Sequence, residues 1–148
     1  MASADTSTLG VSILIPAFDE EGAIEETVKK IGEQRAFFRE IEIVVINDGS
    51  ADRTGEIARG LPVTLLEHPS NRGYGAALKT GLQRAKHEII IIADADGTYP
   101  LEDIPKLAAD MGEFAPCRHC SFDEGSLRSL LTHPVRLLFA RLCKHSEL

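Results

Sequence analysis

Four consecutive isoleucines, Ile89 to Ile92, constrain this chain more than any other feature. An apolar run without polar alternation reads as a strand buried on both faces. Sheets covered on both faces are built from parallel strands with helices above and below. Two further apolar runs, Val11 to Ile15 and Ile41 to Ile46, and a shorter one from Val63 to Leu66 repeat the signal. Helical patterns lie between them. Ile24, Val28 and Ile31 recur at helical spacing, with Glu20, Glu21, Glu25 and Glu26 early and Lys29 and Lys30 late, as a helix dipole prefers. A polar segment from Ala51 to Arg59 ends at Gly60 and Pro62, and Tyr74 to Lys86 carries Ala77, Leu78, Leu82 and Ala85 on one face. Strands alternating with helices at this spacing predict βαβ units and a parallel, doubly wound α/β sheet.

In such a sheet the ligand crevice lies at the carboxyl ends of the strands. Polar clusters follow three of the four predicted strands. Asp19, Glu20 and Glu21 come after the first, which Pro16 is expected to break. Asn47, Asp48, Gly49 and Ser50 follow the second, and Asp94, Ala95, Asp96 and Gly97 the fourth. Residues two apart in a strand-like segment point the same way, so Asp94 and Asp96 can converge on one hard cation. Such a cation takes one or two carboxylates and completes its shell with phosphate and water. Asp and Gly are also ordinary turn residues, and Asp48 is placed to cap the helix that follows it.

The 148 residues suffice for about one domain with a real core. A formal net charge of minus 7 and the lack of any basic run exclude a sequence-independent nucleic-acid binder. No apolar stretch approaches the roughly 20 residues of a membrane helix, and residues 1–10 lack the parts of a signal peptide. The expectation is a disordered tail over 1–10 and a cytoplasmic protein, soluble or peripheral on the cytoplasmic face of a membrane. Cys117, Cys120 and Cys143 are odd in number and late in the chain, which argues against a disulfide framework. With His119 and His145 they make only one CxxC knuckle, whereas zinc sites normally pair two.

Taken together, VSILIPAFDEEGAI (11–24), EIVVINDGSADRT (42–54), HPSNRGYGAALKTGL (68–82) and IIIIADADGTYP (89–100) resemble the family 2 glycosyltransferases, in particular the polyprenyl- and dolichyl-phosphate sugar transferases. The resemblance spans residues 11–114. It implies the Rossmann-like GT-A fold, a mostly parallel sheet flanked by helices, and transfer of a sugar with inversion from a nucleotide diphosphate sugar to a polyprenyl or dolichyl phosphate. It places Pro16, Ala17, Phe18 and Glu20 in the loop lining the nucleoside. Ile46 and Asp48 join the same nucleotide-sugar site, Asp48 toward the base, with Asn47 where the family usually has Asp. Asp94, Ala95 and Asp96 resemble the DxD segment, with Mg2+ or Mn2+ on Asp94 and Asp96 and with Thr98 as a third ligand. Arg72 is implied near the nucleotide, where Gly73 and Gly75 permit close backbone approach. A metal at the pyrophosphate would neutralise the leaving group. An ionised lipid-phosphate acceptor needs no general base, whereas a sugar hydroxyl would need an Asp or Glu.

The resemblance lapses after Phe114. APCRHCSFDE (115–124) stands where the family continues with a strand, and reads as an out-of-frame stretch. GSLRSLLTHPVRLLFARL (125–142) again resembles the family's next helical stretch, with Arg128, Arg136 and Arg141 among leucines and Pro134 kinking it. The expected organisation is a nucleotide-sugar binding α/β domain over 11–114, then a divergent segment and C-terminal helix over 115–148 that leave the fold truncated and its acceptor region incomplete. Acceptor-side catalytic residues are therefore unassigned. One alternative is a catalytically silent nucleotide-sugar binding fragment that pairs with a partner chain or forms a homo-oligomer. Another is a nucleotidyltransferase, which would want a Gly-rich, basic triphosphate loop after the first strand; this chain has none.

Overall fold

The computed structural model describes residues 6–97, 100–111 and 138–141. Its sheet has five strands among these residues: β1 (Gly10–Ala17), β2 (Glu40–Asn47), β3 (Thr64–Glu67), β4 (Ile89–Ile92) and β5 (Leu138–Arg141). They run in the order β3-β2-β1-β4-β5, and every neighbouring pair is parallel. The helices are α1 (Ile24–Glu33), α2 (Thr54–Arg59), α3 (Tyr74–Arg84) and α4 (Ile104–Met111).

Alternation along the strands sorts the core into two layers. Val11, Ile13, Ile15, Ile41, Ile43, Val45 and Ile91 face one side, packed with Ile24, Val28 and Ile31 of α1, Ala58 of α2 and Ile104 and Ala108 of α4. Leu14, Val44, Ile46 and Ile90 face the other side, against Ala77 of α3. A side chain at Gly81 would bring its Cβ to 2.9 Å from Ile46 Cδ1, so glycine lets α3 lie close on the sheet. Helices on both faces explain why the strands carry almost no polar residues. Two of the buried exceptions, Ser12 and Glu42, bond to each other, while Glu42 Oε1 has no hydrogen-bond partner and lies 3.7 Å from Lys86 Nζ. Ser12 Oγ donates to Glu42 Oε2 (2.6 Å), which also accepts the Lys86 N–H (2.8 Å), while Ser12 Oγ accepts the His87 N–H (3.1 Å).

Four local expectations are corrected. Pro16 does not end β1; it lies inside it, opposite Ile46 of β2. Residues 14 and 16 turn their backbone groups toward β4, as the Ala93 N–H to Leu14 carbonyl bond (3.0 Å) shows, but β4 pairing stops at Leu14 and Ile92. The missing proline N–H therefore points where no ladder partner remains. The polar helix begins at Thr54 rather than Ala51, because residues 50–53 are drawn into bonds with the loop after β1. Residues 6–10, expected in a disordered tail, are structured: Thr6–Thr8 form a 3-10 turn, Thr6 Oγ1 donates to the Phe37 carbonyl (2.6 Å), and β1 starts at Gly10. Finally, Leu138–Arg141 is a strand, not part of a helix; it pairs with Ile89–Ile92 and closes the otherwise open ladder of β4. Short apolar runs are ambiguous between helix and strand, and here the free sheet edge decides.

The chain winds outward from β1 through β2 to β3, then returns to the opposite side of β1 with β4. The strand order reverses between β1 and β4, and the connections leaving their carboxyl ends part there. This opens the crevice characteristic of doubly wound sheets.

Candidate active site

A cleft of about 380 Å3 occupies that crevice, lined by Pro16, Ala17, Phe18, Glu20, Asp48, Asn71, Gly73, Tyr74, Ala77, Asp94, Ala95 and Asp96. The walls come from the loops after β1, β2, β3 and β4 and from the start of α3. Its size suits a ligand of nucleotide dimensions.

Two of these loops are laced together. Asp19 takes the left-handed conformation (φ 54°), and its Oδ1 accepts the Ala51 N–H (2.8 Å). In return, Ser50 Oγ accepts the Asp19 N–H (3.0 Å), Asp52 Oδ2 that of Glu21 (3.0 Å) and Thr54 Oγ1 that of Glu20 (2.8 Å). Glu21 Oε2 accepts the Arg53 N–H (3.0 Å). Asp19 and Glu21 are thus employed in holding the rim, while Glu20 is the acid of this loop that lines the cleft.

Asp48 is the hub of the opposite wall. It does not cap α2, whose N-cap position is Arg53 and carries no side-chain cap bond. Its Oδ1 instead accepts from His68 Nδ1 (2.6 Å) and the Arg72 N–H (3.0 Å), and its Oδ2 from the Gly73 N–H (2.8 Å). A carboxylate only accepts, so His68 Nδ1 carries the proton; His68 Nε2 meets Thr80 Oγ1 at 2.9 Å. Burial acts to raise the Asp48 carboxyl, but the bonds from His68, Arg72 and Gly73 outweigh it and hold it below the usual aspartate range. Asn47 closes the turn by accepting the Ser50 N–H on its Oδ1 (3.1 Å).

The acidic segment after β4 is fixed from two sides. Thr27 of α1, buried, donates its hydroxyl to the Ala95 carbonyl between the two aspartates (3.1 Å). Tyr74, at the start of α3, donates its phenol to Asp94 Oδ1 (3.3 Å). Gly97 turns the chain away with φ 70°. Burial raises the Glu20 carboxyl, and the neighbouring Asp96, Asp52, Asp94 and Asp19 raise it further. The cleft therefore concentrates negative charge at Glu20, Asp94 and Asp96. Only hard oxygen donors are present there, the set that magnesium or manganese prefers. No group of three or more His, Cys, Asp or Glu among the described residues converges as a metal cage, so the protein would supply a cation with one or two carboxylates and leave the rest of its shell to phosphate and water.

Of the nucleotide-site residues expected from the sequence, Pro16, Ala17, Phe18, Glu20, Asp48, Asp94, Ala95 and Asp96 come together in the cleft. Ile46 does not. It is fully buried with Leu14, Val44, Ala77 and Ile90, because alternation in β2 turns it to the α3 face. Arg72 binds Asp48 through its backbone N–H, and its side chain is not among those lining the cleft. Thr98, the 115–124 stretch and the five Cys and His residues of the zinc pattern lie outside the described residues. His68, Asn71, Tyr74, Thr27 and Thr80 escaped the sequence reading. For His68 the signal was a lone polar residue directly after a strand, on the same sheet edge as Asp48.

The glycosyl transferase family 2 model matches residues 12–144. The chain belongs to this family. Over 100 residues it is 41% identical to an uncharacterized protein of Methanocaldococcus jannaschii, covering 66% of this chain and 40% of that one. It is 34% identical over 110 residues to a dolichyl-phosphate beta-glucosyltransferase of Trichomonas vaginalis, covering 67% and 34%. Among solved structures, the mannosyltransferase of Pyrobaculum calidifontis in complex with GDP-mannose and Mn2+ superposes with a TM-score of 0.61 at 33% identity, covering 74% of this chain and 33% of that one. The family member described here thus has the GT-A fold, and it spans between 34% and 40% of the length of these two curated relatives.

Proposed function

We propose that the cleft is the donor site of a hexosyltransferase, binding a nucleotide diphosphate sugar for transfer to a polyprenyl or dolichyl phosphate. One observation carries this reading: the loops of β1, β2 and β4 bring Phe18, Glu20, Asp48, Asp94 and Asp96 into a single cleft at the switch point of a family 2 sheet. Relatives named for dolichyl-phosphate and undecaprenyl-phosphate acceptors support the acceptor class. A relative solved with a nucleotide sugar and Mn2+ supports the donor and metal class.

In this reading Asp94 and Asp96 hold Mg2+ or Mn2+. The bound cation neutralises charge on the departing nucleoside diphosphate. Thr98 remains a proposed further ligand. Thr27 and Tyr74 keep the two aspartates oriented, and Glu20, whose carboxyl is raised by burial and by its acidic neighbours, is suited to a hydroxyl of the donor. Phe18 and Tyr74 offer aromatic surface to the nucleoside. The acceptor is an ionised phosphate, which attacks without a general base. It would be reached at a membrane surface; no helix among the described residues is long and apolar enough to cross one.

Titration of the full chain with UDP-, GDP- and TDP-sugars, with and without Mn2+, tests the reading. The expected result is metal-dependent binding that Asp96→Ala abolishes. Metal-independent binding with unchanged affinity in Asp96→Ala would refute the metal site. Incubation with a polyprenyl phosphate then separates two outcomes. Sugar transfer supports the enzyme; binding without transfer makes the chain a nucleotide-sugar binding unit that needs a partner chain for turnover.

A further inference from the structure

The hydrogen bonds on Asp48 limit what the cleft can read. An ionised carboxylate offers about four acceptor sites and no donor. Oδ1 already receives His68 Nδ1–H and the Arg72 N–H, and Oδ2 receives the Gly73 N–H, so one acceptor site is left, on Oδ2. Asp48 is only 4% exposed, and it lines the cleft together with Phe18 and Tyr74. His68 cannot readily leave Oδ1. Its side chain is 5% exposed and its second nitrogen is engaged by Thr80.

The bases differ in the donors they present to such a group. Guanine offers two adjacent donors, N1–H and the N2 amine, which a carboxylate reads with both oxygens. Uracil and thymine offer one imide N3–H between two carbonyls. A carboxylate with one oxygen filled can match the imide, but it leaves one guanine donor without an acceptor. A buried donor left unpaired is a strong source of discrimination.

We propose that the cleft takes a pyrimidine imide base, uracil or thymine, in preference to guanine, and that His68 determines this choice by filling one oxygen of Asp48. The proposal rests on the nucleotide-sugar reading and specifies its donor class. His68 is a specificity-determining residue that acts through Asp48.

The test is calorimetric titration of the full chain, in excess Mn2+, with UDP, TDP, N3-methyl-UDP, GDP and IDP. UDP or TDP should bind at least ten-fold tighter than GDP, and the two arms tell which pyrimidine is taken. N3-methylation, which deletes the single donor, should weaken UDP at least ten-fold. IDP, which keeps N1–H and lacks the second amine, should bind no more weakly than GDP. GDP binding as tightly as UDP, with IDP ten-fold weaker than GDP, would overturn the proposal by showing that both oxygens are read. If none of the five binds, the donor-site reading itself falls. His68→Ala should narrow the UDP-to-GDP preference at least five-fold, and His68→Asn, whose amide can replace the Nδ1–H donor, should restore it. Equal weakening of both nucleotides in His68→Ala would reduce His68 to a structural role. Where His68→Ala fails to fold, His68→Asn and the nucleotide panel on the unmodified chain still decide.

Discussion

Replacing Asp48 by asparagine isolates the energetics of the cleft wall, because it preserves shape while removing the charge and one acceptor. The asparagine oxygen can keep the bonds from His68 Nδ1 and the Arg72 N–H. The amide nitrogen would then face the Gly73 N–H, donor against donor. Gly73 retains a second acceptor, Asn71 Oδ1 at 2.9 Å, which softens that loss. Hydrogen bonds to a charged group contribute about 1.5–3 kcal/mol and neutral ones about 0.5–1.5 kcal/mol. One charge-assisted bond disappears and two become neutral, so the variant should lose about 2–4 kcal/mol of stability. The deficit is pH-dependent. Folding lowers the Asp48 pKa, so the stabilisation is complete above the unfolded value of about 3.9 and is lost as pH falls through the lower folded value. Urea unfolding of both proteins, from pH 7 downward, should show an unchanged slope and a stability gap that starts to close below about pH 4. A gap under about 0.5 kcal/mol at pH 7, or one that stays constant into strong acid, would refute the view of Asp48 as the charged hub of this wall.

Thr27→Val should cost about 1–3 kcal/mol by leaving the Ala95 carbonyl unpaired, and should weaken Mn2+-dependent nucleotide binding. Thr27→Ser should restore both, and unchanged Mn2+ dependence in the valine variant would show that Thr27 does not orient the aspartates. Gly49→Ala should destabilise by about 3 kcal/mol or more, since its φ is 71° and a Cβ would lie 2.3 Å from the Ser70 backbone carbon; wild-type thermal unfolding in this variant would contradict the loop packing. Glu20→Gln should raise Tm by about 1–3 °C at pH 8 without divalent cations. Folding raises the Glu20 pKa, so its ionised form is a liability above that value, and the gain should vanish as pH falls and wild-type Glu20 becomes protonated. Added Mn2+ should also shrink it, as differential scanning fluorimetry would report.

Much of the site was legible in the residues because it depends on strand direction rather than on side-chain detail. Once Ile89–Ile92 is a strand buried on both faces, parallel pairing follows, and the acids after β1, β2 and β4 must share one edge. Helical spacing likewise located α1 and α3, whose buried positions are read from sequence periodicity. That much needs no knowledge of which strand neighbours which.

Partner choice is different. Asp48 bonds to groups 20 to 25 residues away, and nothing in NDGS distinguishes that role from a helix cap. The same holds for Thr27, whose hydroxyl reaches a carbonyl 68 residues further along the chain, and for Ile46, which alternation turned from the cleft into the core. β5 exists because β4 has a free edge, a property of the assembled sheet and not of the residues LFAR. The amino-acid sequence by itself determined the first four strands, the helices between them and the edge that carries the chemistry, since hydrophobic period and strand polarity are local. Only the tertiary structure decided which acids remain to face the cleft, because a buried carboxylate is defined by the donors that folding brings to it.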